Sequence, residues 1–336
     1  MLTPSPPLSE AYDLAMLDLD GVVYVGPEAV PGAAGHLETA RAAGMRTAFI
    51  TNNASRPPQQ VADHLADLGV TASVDDVVTS AQAAAAVLEE RLGAGARIAM
   101  LGGAGLDEAL RERGLVPVEV GDDAAALVSG YGPDVRWSAI MRAAVLVRDG
   151  LWWVASNTDR TIPTPFGVAP GHGVLVDTVQ RFSGVEPVVA GKPARPLLDE
   201  TIRRVGGEHP LMVGDRLDTD IEGARTVGID SLLVLTGVTG VAELVAARAE
   251  ERPTYIGLDL RALTEAQPAP EADGDDWTLG GWRSTVADGA LTVDGDGSAA
   301  DWWRVVAAAA WAWRDATGDV VDHDGLVPPS DPATDR

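Results

Sequence analysis

The feature that most constrains the fold is a repeated alternation of short apolar runs with amphipathic segments. Between residues 14 and 92 this pattern predicts strands at 14–18, 46–51 and 76–80, each followed by a helix. Such an order is typical of a parallel sheet whose strands are joined by right-handed helical crossovers. The pattern returns with strands at 187–192, 210–215 and 230–235, so we expect these segments to extend the first sheet.

A second α/β unit interrupts this domain. Its strands are predicted at 97–101, 126–129 and 151–155, and a long loop rich in Pro and Gly, 156–173, follows the last of them. Loops of that length are often functional. The predicted domain bounds are 8–94 and 186–264 for the interrupted domain and 95–185 for the insert.

The C-terminal region differs in composition from the rest of the chain. Residues 265–276 have the composition of a linker, and 277–321 are predicted to form a small ββα unit. Six of the nine tryptophans lie in this unit, which is more apolar area than a mobile acidic tail would carry. We therefore expect them to pack on one another and against the rest of the protein, or against a second subunit. Residues 322–336 are predicted to be disordered.

Charge and composition exclude several classes of function. The formal net charge of −25 at pH 7 opposes binding to nucleic acid and to anionic membranes. The absence of cysteine excludes disulfides and thiolate metal sites. No apolar run approaches the roughly 20 residues of a spanning helix, and the N-terminus does not resemble a signal peptide. We expect a cytoplasmic protein with no nucleic acid or membrane partner, and the sequence leaves a homo-oligomer open.

Two aspartates one residue apart, Asp18 and Asp20, follow the first predicted strand. Carboxylates that close repel each other, so their crowding requires a bound cation, a shared proton or simple solvation at the surface. Thr51, Lys192 and Asp215 also lie at the predicted ends of strands. Because open α/β sheets bind ligands at the carboxyl edge of their strands, these positions predict a ligand site.

This set of residue types suits phosphoryl transfer. Mg²⁺ commonly takes one or two carboxylates together with phosphate and water, and Asp18 and Asp215 could supply them. One aspartate can then attack phosphorus, and the next can serve as acid and then as base. Thr51 and Lys192 could bind phosphoryl oxygens as charge develops on them. Lys192 is the only lysine in the chain, which indicates either codon bias or a need for a compact ammonium group.

Four motifs in this order resemble the haloacid dehalogenase (HAD) superfamily of phosphatases. They are DLDGV at 18–22, ITNNAS at 50–55, GKP at 191–193 and GDRLDTD at 214–220. The position of the insert is similar to that in the NagD-like, C2-capped branch, which includes glycerol-phosphate, phosphoglycolate, pyridoxal-phosphate and nucleotide phosphatases. The resemblance covers about residues 8–260. It implies an α/β fold class, with a Rossmann-like parallel-sheet core and an inserted α/β C2 cap, to which the C-terminal α+β unit is added.

The resemblance also implies a role for each matched residue. Asp18 would be the nucleophile and a Mg²⁺ ligand, and Asp20 would be the general acid/base whose main-chain carbonyl also binds the metal. Asp215 would be the third metal contact, with Asp220 in a supporting position or acting through water. Thr51 and Lys192 would bind the phosphoryl group, a role that suits a hydroxyl and an ammonium group.

Further residues are candidates for binding the substrate. The SNTD segment at 156–159 resembles the cap loop of the glycerol-phosphate and phosphoglycolate members, although such a sequence also suits an Asx-turn. Asn52 and Asn53 belong to the second motif, where turn chemistry is again the alternative. The candidates are Asn52, Asn53, Asn157, Asp159 and Arg160.

The sequence thus predicts a Mg²⁺-dependent phosphatase that hydrolyses a small phosphomonoester through an aspartyl-phosphate intermediate. Glycerol 3-phosphate is the leading candidate for the substrate. Alternative substrates are phosphoglycolate, pyridoxal phosphate or a nucleotide. A regulatory phosphate-binding protein with the same fold is the non-enzymatic alternative. A binding protein has no need of both a nucleophile and an acid, so the presence of Asp18 and Asp20 argues against it.

Overall fold

The computed structural model describes residues 1–164 and 166–330. Its α-helices, numbered along the chain, are α1 Leu8–Ala11, α2 Ala33–Ala42, α3 Pro58–Asp67, α4 Ser80–Leu92, α5 Ala104–Glu112, α6 Trp137–Arg148, α7 His172–Ser183, α8 Arg195–Val205, α9 Glu222–Val227, α10 Val241–Val245 and α11 Ala299–Thr317. Its strands are β1 Leu14–Leu17, β2 Tyr24–Val25, β3 Glu28–Ala29, β4 Arg46–Thr51, β5 Val77–Thr79, β6 Arg97–Leu101, β7 Val116–Val118, β8 Ala126–Ser129, β9 Trp152–Ala155, β10 Thr161–Thr164, β11 Gly167–Pro170, β12 Val188–Val189, β13 Pro210–Gly214, β14 Asp230–Val234, β15 Tyr255–Gly257, β16 Glu271–Asp273, β17 Asp276–Leu279, β18 Trp282–Ala287 and β19 Ala290–Gly295. The chain divides into two compact units, one formed by Met1–Thr47 with the chain from Gly207 onward, the other by Ala48–Gly206.

In the first unit, the strands β15, β14, β13 and β1 are parallel neighbours in that order. All residues of β1 are buried, as expected for a strand covered on both faces. The register pairs Leu17 with Val213, so the chain leaves β1 and β13 at the same end. Asp18 and Asp215 therefore follow neighbouring strands at their carboxyl ends, as the sequence predicts.

In the second unit, β4 and β5 pair in parallel, and a separate parallel sheet has the strand order β12-β9-β8-β6-β7. Helix α4 begins with a capping box, in which Thr79 and Gln82 each accept the main-chain N–H of the other. Leu127, Val147 and Trp153 lie in the core on one face of the separate sheet. The predicted α/β class with parallel sheets is confirmed.

The structure differs from the sequence prediction at β12, which precedes Lys192. Val188 and Val189 pair with Val154 and Ala155 of β9 and not with a strand of the first sheet. The strand is only two residues long, so it carries no periodicity from which its sheet could be assigned. The predicted loop at 156–173 also differs, because it contains the antiparallel hairpin of β10 and β11.

The C-terminal region contains more sheet than the predicted ββα arrangement. Strands β16, β17, β18 and β19 pair antiparallel in chain order, and β16 lies inside the segment predicted as a linker. Arg283 on β18 forms ion pairs with Asp273 and Asp276, which ties the first three strands together. Part of the segment predicted as disordered is also held: Asp322 donates its N–H to the carbonyl of Gly289 and accepts that of Leu291. Residues 331–336 of that segment lie outside the described part of the chain.

Helix α11 anchors this region to the rest of the first unit. Trp302 and Trp303 are buried and pack edge to face with ring centroids 5.3 Å apart, and Trp311 is fully buried. The indole N–H of Trp311 donates to the carbonyl of Leu244 at 2.8 Å. The prediction that the tryptophans pack on one another and on the rest of the protein is confirmed. No helix in the described residues, α11 included, is long and apolar enough to cross a membrane.

The buried arginine of α11 reinforces the same contact. Arg304 donates to the carbonyl of Ile256 on β15 at 2.9 and 3.1 Å and to the side chain of Gln267 at 2.7 Å. Its charge is balanced by Asp301, one helical turn away. A buried guanidinium with these partners fixes the helix against β15 in one register, since any shift would leave its donors without acceptors.

Replacement of Trp311 by Ala tests this packing. We expect the free energy of unfolding of the first unit to fall by about 3–5 kcal/mol, because the change opens a cavity and removes the indole hydrogen bond. Urea titration followed by circular dichroism measures the loss. Trp137→Ala is the control, because Trp137 is 63% exposed and its loss should stay within about 0.5 kcal/mol. Equal losses in the two variants would contradict the anchoring role of α11.

Candidate active site

Three carboxylates converge in the first unit. Ligand oxygens of Asp18, Asp215 and Asp220 all lie within 4.8 Å of one another. Asp18 directly follows β1, and its N–H continues the strand ladder by donating to the carbonyl of Val213 at 2.9 Å. Asp215 directly follows β13, and Asp220 lies in a π-helical turn at Leu217–Ile221. Asp215 and Asp220 are buried, while Asp18 is half-buried.

Glycines allow the main chain to approach these carboxylates. A Cβ added at Gly237 would lie 2.6 Å from the Cβ of Asp215 and nearer still to its carboxylate, and one at Gly21 would lie 2.5 Å from the Asp215 Cγ. Gly21 also has a φ of +87°, in the region that favours glycine. A Cβ at Gly214 would overlap the side chain of Asp220. The cluster therefore requires glycine at these positions of the sequence.

Main-chain and hydroxyl groups orient the same loops. The N–H of Val238 donates to Asp215 Oδ2 at 2.9 Å, and the Thr239 hydroxyl donates to the Asp215 carbonyl at 2.5 Å. The N–H of Arg216 donates to Asp220 Oδ2 at 3.1 Å. Thr236 donates to the carbonyl of Gly21 at 2.5 Å and so connects the loop after β1 to the loop after β14.

Asp20 stands apart from the three-carboxylate cluster. It is exposed, and Oδ1 accepts the N–H of Gly26 at a long 3.4 Å. The turn around it is closed by a hydrogen bond from the N–H of Gly21 to the carbonyl of Tyr24 at 2.7 Å. The Asp20 carboxylate is thus held less firmly than those of Asp215 and Asp220, which are buried.

The donor set of the cluster fits a hard divalent cation. Mg²⁺ and Ca²⁺ take oxygen ligands, and three carboxylates at this spacing would repel one another strongly without a compensating positive charge. Asp18 and Asp215 could hold such an ion directly, and Asp220 is close enough to support it directly or through water. They do not fit a thiolate-selective or imidazole-selective metal, because the cluster contains neither group.

A second group of predicted residues comes together in the second unit, around Lys192. The lysine is 2% exposed and follows β12. The side chain of Asn52 accepts the Lys192 N–H at 2.8 Å and donates to the Lys192 carbonyl at 3.1 Å. It also donates to Asp159 Oδ1 at 3.0 Å. Asn52, Asp159 and Lys192 are thus linked in one hydrogen-bonded group.

Thr51 and Asn53 lie in the turn that begins at the end of β4. The Thr51 hydroxyl accepts the N–H of Asn53 at 3.1 Å, and Asn53 Oδ1 accepts both the N–H and the hydroxyl of Ser55 at 2.8 Å. These contacts are those of capping and Asx-turn motifs. They leave the proton of the Thr51 hydroxyl available to an acceptor, because the hydroxyl acts as an acceptor in its contact with Asn53.

The residues of the 156–160 segment are placed differently from one another. Asn157 is buried, donates to the carbonyl of Asn52 at 2.6 Å and accepts the N–H of Asp159 at 3.1 Å. Arg160 is largely exposed and forms an ion pair with Asp177 on α7. Asn157 therefore shapes the segment from within, while the Arg160 guanidinium is engaged with α7 rather than with the hydrogen-bonded group of Asn52.

His172, the first residue of α7, is not among the residues that the sequence singles out. Its ring is buried, and Nδ1 lies 2.8 Å from the carbonyl of Asn157, so Nδ1 carries the proton and donates. Nε2 has no hydrogen-bond partner among the described residues. Burial lowers the pKa of His172 to about 4, against the opposing effect of the Asn157 carbonyl. Only its place in the predicted Pro- and Gly-rich loop could have drawn attention to it.

Comparisons with known families and proteins show which family the chain resembles. Residues 15–116 match the family model described as haloacid dehalogenase-like hydrolase, and residues 189–263 match the model described as HAD-hydrolase-like. The D-glycerol 3-phosphate phosphatase of Mycobacterium tuberculosis is 41% identical over 92% of this chain and 88% of its own length. An acid sugar phosphatase of Staphylococcus saprophyticus is 35% identical over 75% of this chain and 96% of its own length.

Solved structures of phosphatases are also similar to this chain. The glycerol phosphate phosphatase of M. tuberculosis in complex with calcium superposes with a TM-score of 0.84 and 40% identity, covering 96% of this chain and 93% of the other. Its magnesium complex gives 0.83 and 41%, covering 92% and 93%. A 4-nitrophenylphosphatase of Thermotoga maritima gives 0.71 and 30%, covering 76% of this chain and 98% of the other.

Gly237→Ala tests the glycine requirement of the carboxylate cluster. The added methyl group would displace the side chain of Asp215, so we expect Mg²⁺ affinity to fall about 10- to 100-fold, as when supporting groups of metal ligands are changed. Isothermal titration calorimetry with MgCl₂ measures the change. Gly35→Ala is the matched control, since a Cβ at Gly35 meets open space in α2 and should leave the affinity unaltered. Equal Mg²⁺ affinity in the two variants would contradict the requirement.

The lowered pKa of His172 predicts that the free energy of unfolding falls as the pH is lowered from 7 to 5. Its pKa is about 4 when folded and about 6.5 when unfolded, so the unfolded chain binds the extra proton between these values. The contribution of His172 is complete above pH 6.5 and is lost as the pH falls towards 4, by about 2 kcal/mol between pH 7 and pH 5. Urea unfolding of the parent and of His172→Gln at both pH values isolates it, because other groups titrate alike in both. Parallel pH dependences would contradict a buried neutral imidazole.

Proposed function

The chain belongs to the haloacid dehalogenase superfamily and is a phosphoric monoester hydrolase, and on that premise we propose that it hydrolyses glycerol 3-phosphate through a phosphate ester of Asp18. The observation that supports this substrate most is the 41% identity to the M. tuberculosis D-glycerol 3-phosphate phosphatase over 92% of the chain. The convergence of Asp18, Asp215 and Asp220 supports the metal-dependent mechanism.

In the first step a carboxylate oxygen of Asp18 attacks phosphorus, and the bond from phosphorus to the glycerol oxygen breaks. Asp20, protonated, gives its proton to the departing glycerol oxygen. In the second step the Asp20 carboxylate removes a proton from water, which attacks phosphorus, and the bond to Asp18 breaks. Inorganic phosphate leaves, Asp18 is regenerated and Asp20 carries the proton for the next cycle.

The remaining residues would bind Mg²⁺ and the negatively charged phosphoryl group. Asp18, Asp215 and the main-chain carbonyl of Asp20 would hold Mg²⁺, with Asp220 supporting them. A bound Mg²⁺ would offset the negative charge of the phosphoryl group and of the carboxylates around it. Lys192 and Thr51 would bind phosphoryl oxygens, the lysine as a compact positive charge and the threonine as a hydrogen-bond donor.

We further propose that residues 95–185 form the cap of the superfamily's C2 branch. Its 156–160 segment would read the alcohol part of the substrate through Asp159 and Arg160, with Asn157 shaping the segment. Asn53 would contribute through the turn after β4. A cap of this kind favours small phosphomonoesters over phosphoproteins, because a folded protein cannot enter a covered site.

A substrate panel tests the proposal. With Mg²⁺, we expect glycerol 3-phosphate to give a higher kcat/KM than phosphoglycolate, pyridoxal phosphate, a nucleoside monophosphate or a sugar phosphate. Release of inorganic phosphate measures turnover. Asp18→Asn should lower kcat by at least about 10³-fold, because an amide cannot attack phosphorus. A higher kcat/KM for another compound of the panel would show that glycerol 3-phosphate is not the preferred substrate. Turnover by Asp18→Asn within about tenfold of the parent would show that Asp18 is not the nucleophile.

Lys192→Arg tests the need for an ammonium group. The guanidinium is wider and planar, and Lys192 is 2% exposed, so we expect kcat to fall about 10- to 100-fold although the charge is kept. Arg111→Lys is the control for exchange between the two cations, because Arg111 forms an exposed ion pair with Asp107 on α5. Normal turnover by Lys192→Arg would favour codon bias as the reason for the single lysine.

A further inference from the structure

The side chain of Asn52 forms a paired contact with the main chain of Lys192. Its Oδ1 accepts the Lys192 N–H at 2.8 Å, and its Nδ2 donates to the Lys192 carbonyl at 3.1 Å. Asn52 is only 9% exposed, so water competes little for these bonds. A lysine side chain is long and flexible, and the position of its ammonium group depends on where the Cα is held. Asn52 fixes that starting point.

The second amide hydrogen of Asn52 goes to a different segment. It is donated to Asp159 Oδ1 at 3.0 Å, so both hydrogens of the amide have acceptors within the protein. The main-chain carbonyl of Asn52 accepts from Asn157 Nδ2 at 2.6 Å and from the Ser80 hydroxyl at 2.5 Å. Asn52 thus joins the turn after β4, the loop of Lys192 and the 156–160 segment.

Gly191 makes this arrangement compact. A Cβ at Gly191 would lie 2.6 Å from Asn52 Oδ1, 2.7 Å from the Ser156 carbonyl and 3.1 Å from the Asn157 Cβ. The residue before the lysine must therefore be glycine for the asparagine to reach the lysine main chain. The glycine of the GKP motif is therefore required by packing against Asn52, independently of phosphoryl binding.

We propose, on the basis of the function proposed above, that Asn52 is a positioning residue that couples substrate reading to phosphoryl binding. Its amide holds the main chain of Lys192 and the carboxylate of Asp159 in one hydrogen-bonded unit. A substrate whose alcohol part displaces Asp159 therefore also disturbs the placement of Lys192. Asn52 acts through these two residues and does not itself contact the substrate, since its amide donors are already used.

The chemistry of the amide explains why asparagine is required. Aspartate has the same shape and keeps the acceptor for the Lys192 N–H, but it places a carboxylate oxygen against Asp159 and against the Lys192 carbonyl. Alanine removes all three hydrogen bonds. The two substitutions thus break different parts of the unit, and they can be told apart by measurement.

Hydrogen–deuterium exchange of the full-length protein tests the unit without reference to activity. In Asn52→Ala the Lys192 N–H loses its acceptor, and we expect the peptide covering 188–195 to exchange at least about tenfold faster. In Asn52→Asp the acceptor of the Lys192 N–H remains although the bond to the Lys192 carbonyl is lost, so this peptide should exchange more slowly than in Asn52→Ala, while the peptide covering 156–161 exchanges faster than in the parent. Gly191→Ala should resemble Asn52→Ala, because the methyl group pushes the asparagine away.

Kinetics with glycerol 3-phosphate and Mg²⁺ test the coupling. Asn52→Asp should lower kcat/KM at least about tenfold in the parent, because small displacements of positioned groups are costly. In an Asp159→Asn background the same change should cost at least about fivefold less, since the amide introduced at position 159 can donate to the carboxylate introduced at position 52 and restore the bond in reverse. Such non-additivity marks two residues in direct contact.

Ser129→Ala provides the control for general destabilisation of the second unit. Ser129 accepts the buried indole N–H of Trp153 at 2.9 Å and forms no part of the Asn52 unit. This substitution should lower the melting temperature without changing exchange at 188–195 or the ratio of kcat/KM values between substrates. A matching rise in exchange at 188–195 would mean that loss of stability, and not loss of the Asn52 contacts, accounts for the effect.

The outcomes separate the two proposals. An inactive parent overturns the proposed function, while the exchange data still decide whether Asn52 holds Lys192. Unaltered exchange at 188–195 in both Asn52→Ala and Gly191→Ala overturns the positioning role. Equal costs of Asn52→Asp in the two backgrounds overturn the coupling to Asp159.

Discussion

Crowding of negative charge is the constraint on which the first unit is built. Three carboxylates share a region in which their oxygens lie within 4.8 Å, and like charges at that spacing repel. Main-chain N–H groups donate hydrogen bonds to Asp215 and Asp220 and so offset part of this repulsion. Glycines in the neighbouring loops let the main chain come close to these carboxylates. The parallel register of β1 and β13 then determines which residues meet, because it ends both strands at the same level.

In the second unit, hydrogen bonds from one side chain hold the loop that carries Lys192. A single ammonium group must be held by a loop that comes after a strand of only two residues. Asn52 supplies from its side chain the pairing that a longer strand would supply from its main chain. The same residue accepts from Asn157, so the loop of the lysine and the 156–160 segment are not independent of each other. Buried polar groups of this kind specify one arrangement because each alternative leaves a donor or acceptor unsatisfied.

Features that depend on periodicity and on residue chemistry at strand ends are predicted well by the sequence. The strands at Asp18 and Asp215 are long enough to show their pattern, and their proximity is a property of a parallel sheet. Pairing that depends on distant partners is not predictable: β12 is too short to carry a pattern, and β16 lies in a segment whose composition suggests a linker. The roles of Gly237, Asn52 and His172 are also hidden, because each depends on an atom brought close by the fold and not on a neighbour in sequence.

The discontinuity of the first unit has a consequence for biosynthesis. Strand β1 is synthesised well before its neighbour β13 and before the helix α11, which packs beside Leu217 and Ile221. At typical rates of translation the delay between β1 and β13 is roughly 10–40 s. The residues of the second unit are made during that time, while β1 still lacks its neighbour β13. The carboxylate cluster can therefore form only after the whole second unit has been made, because Asp215 and Asp220 follow that unit in the chain.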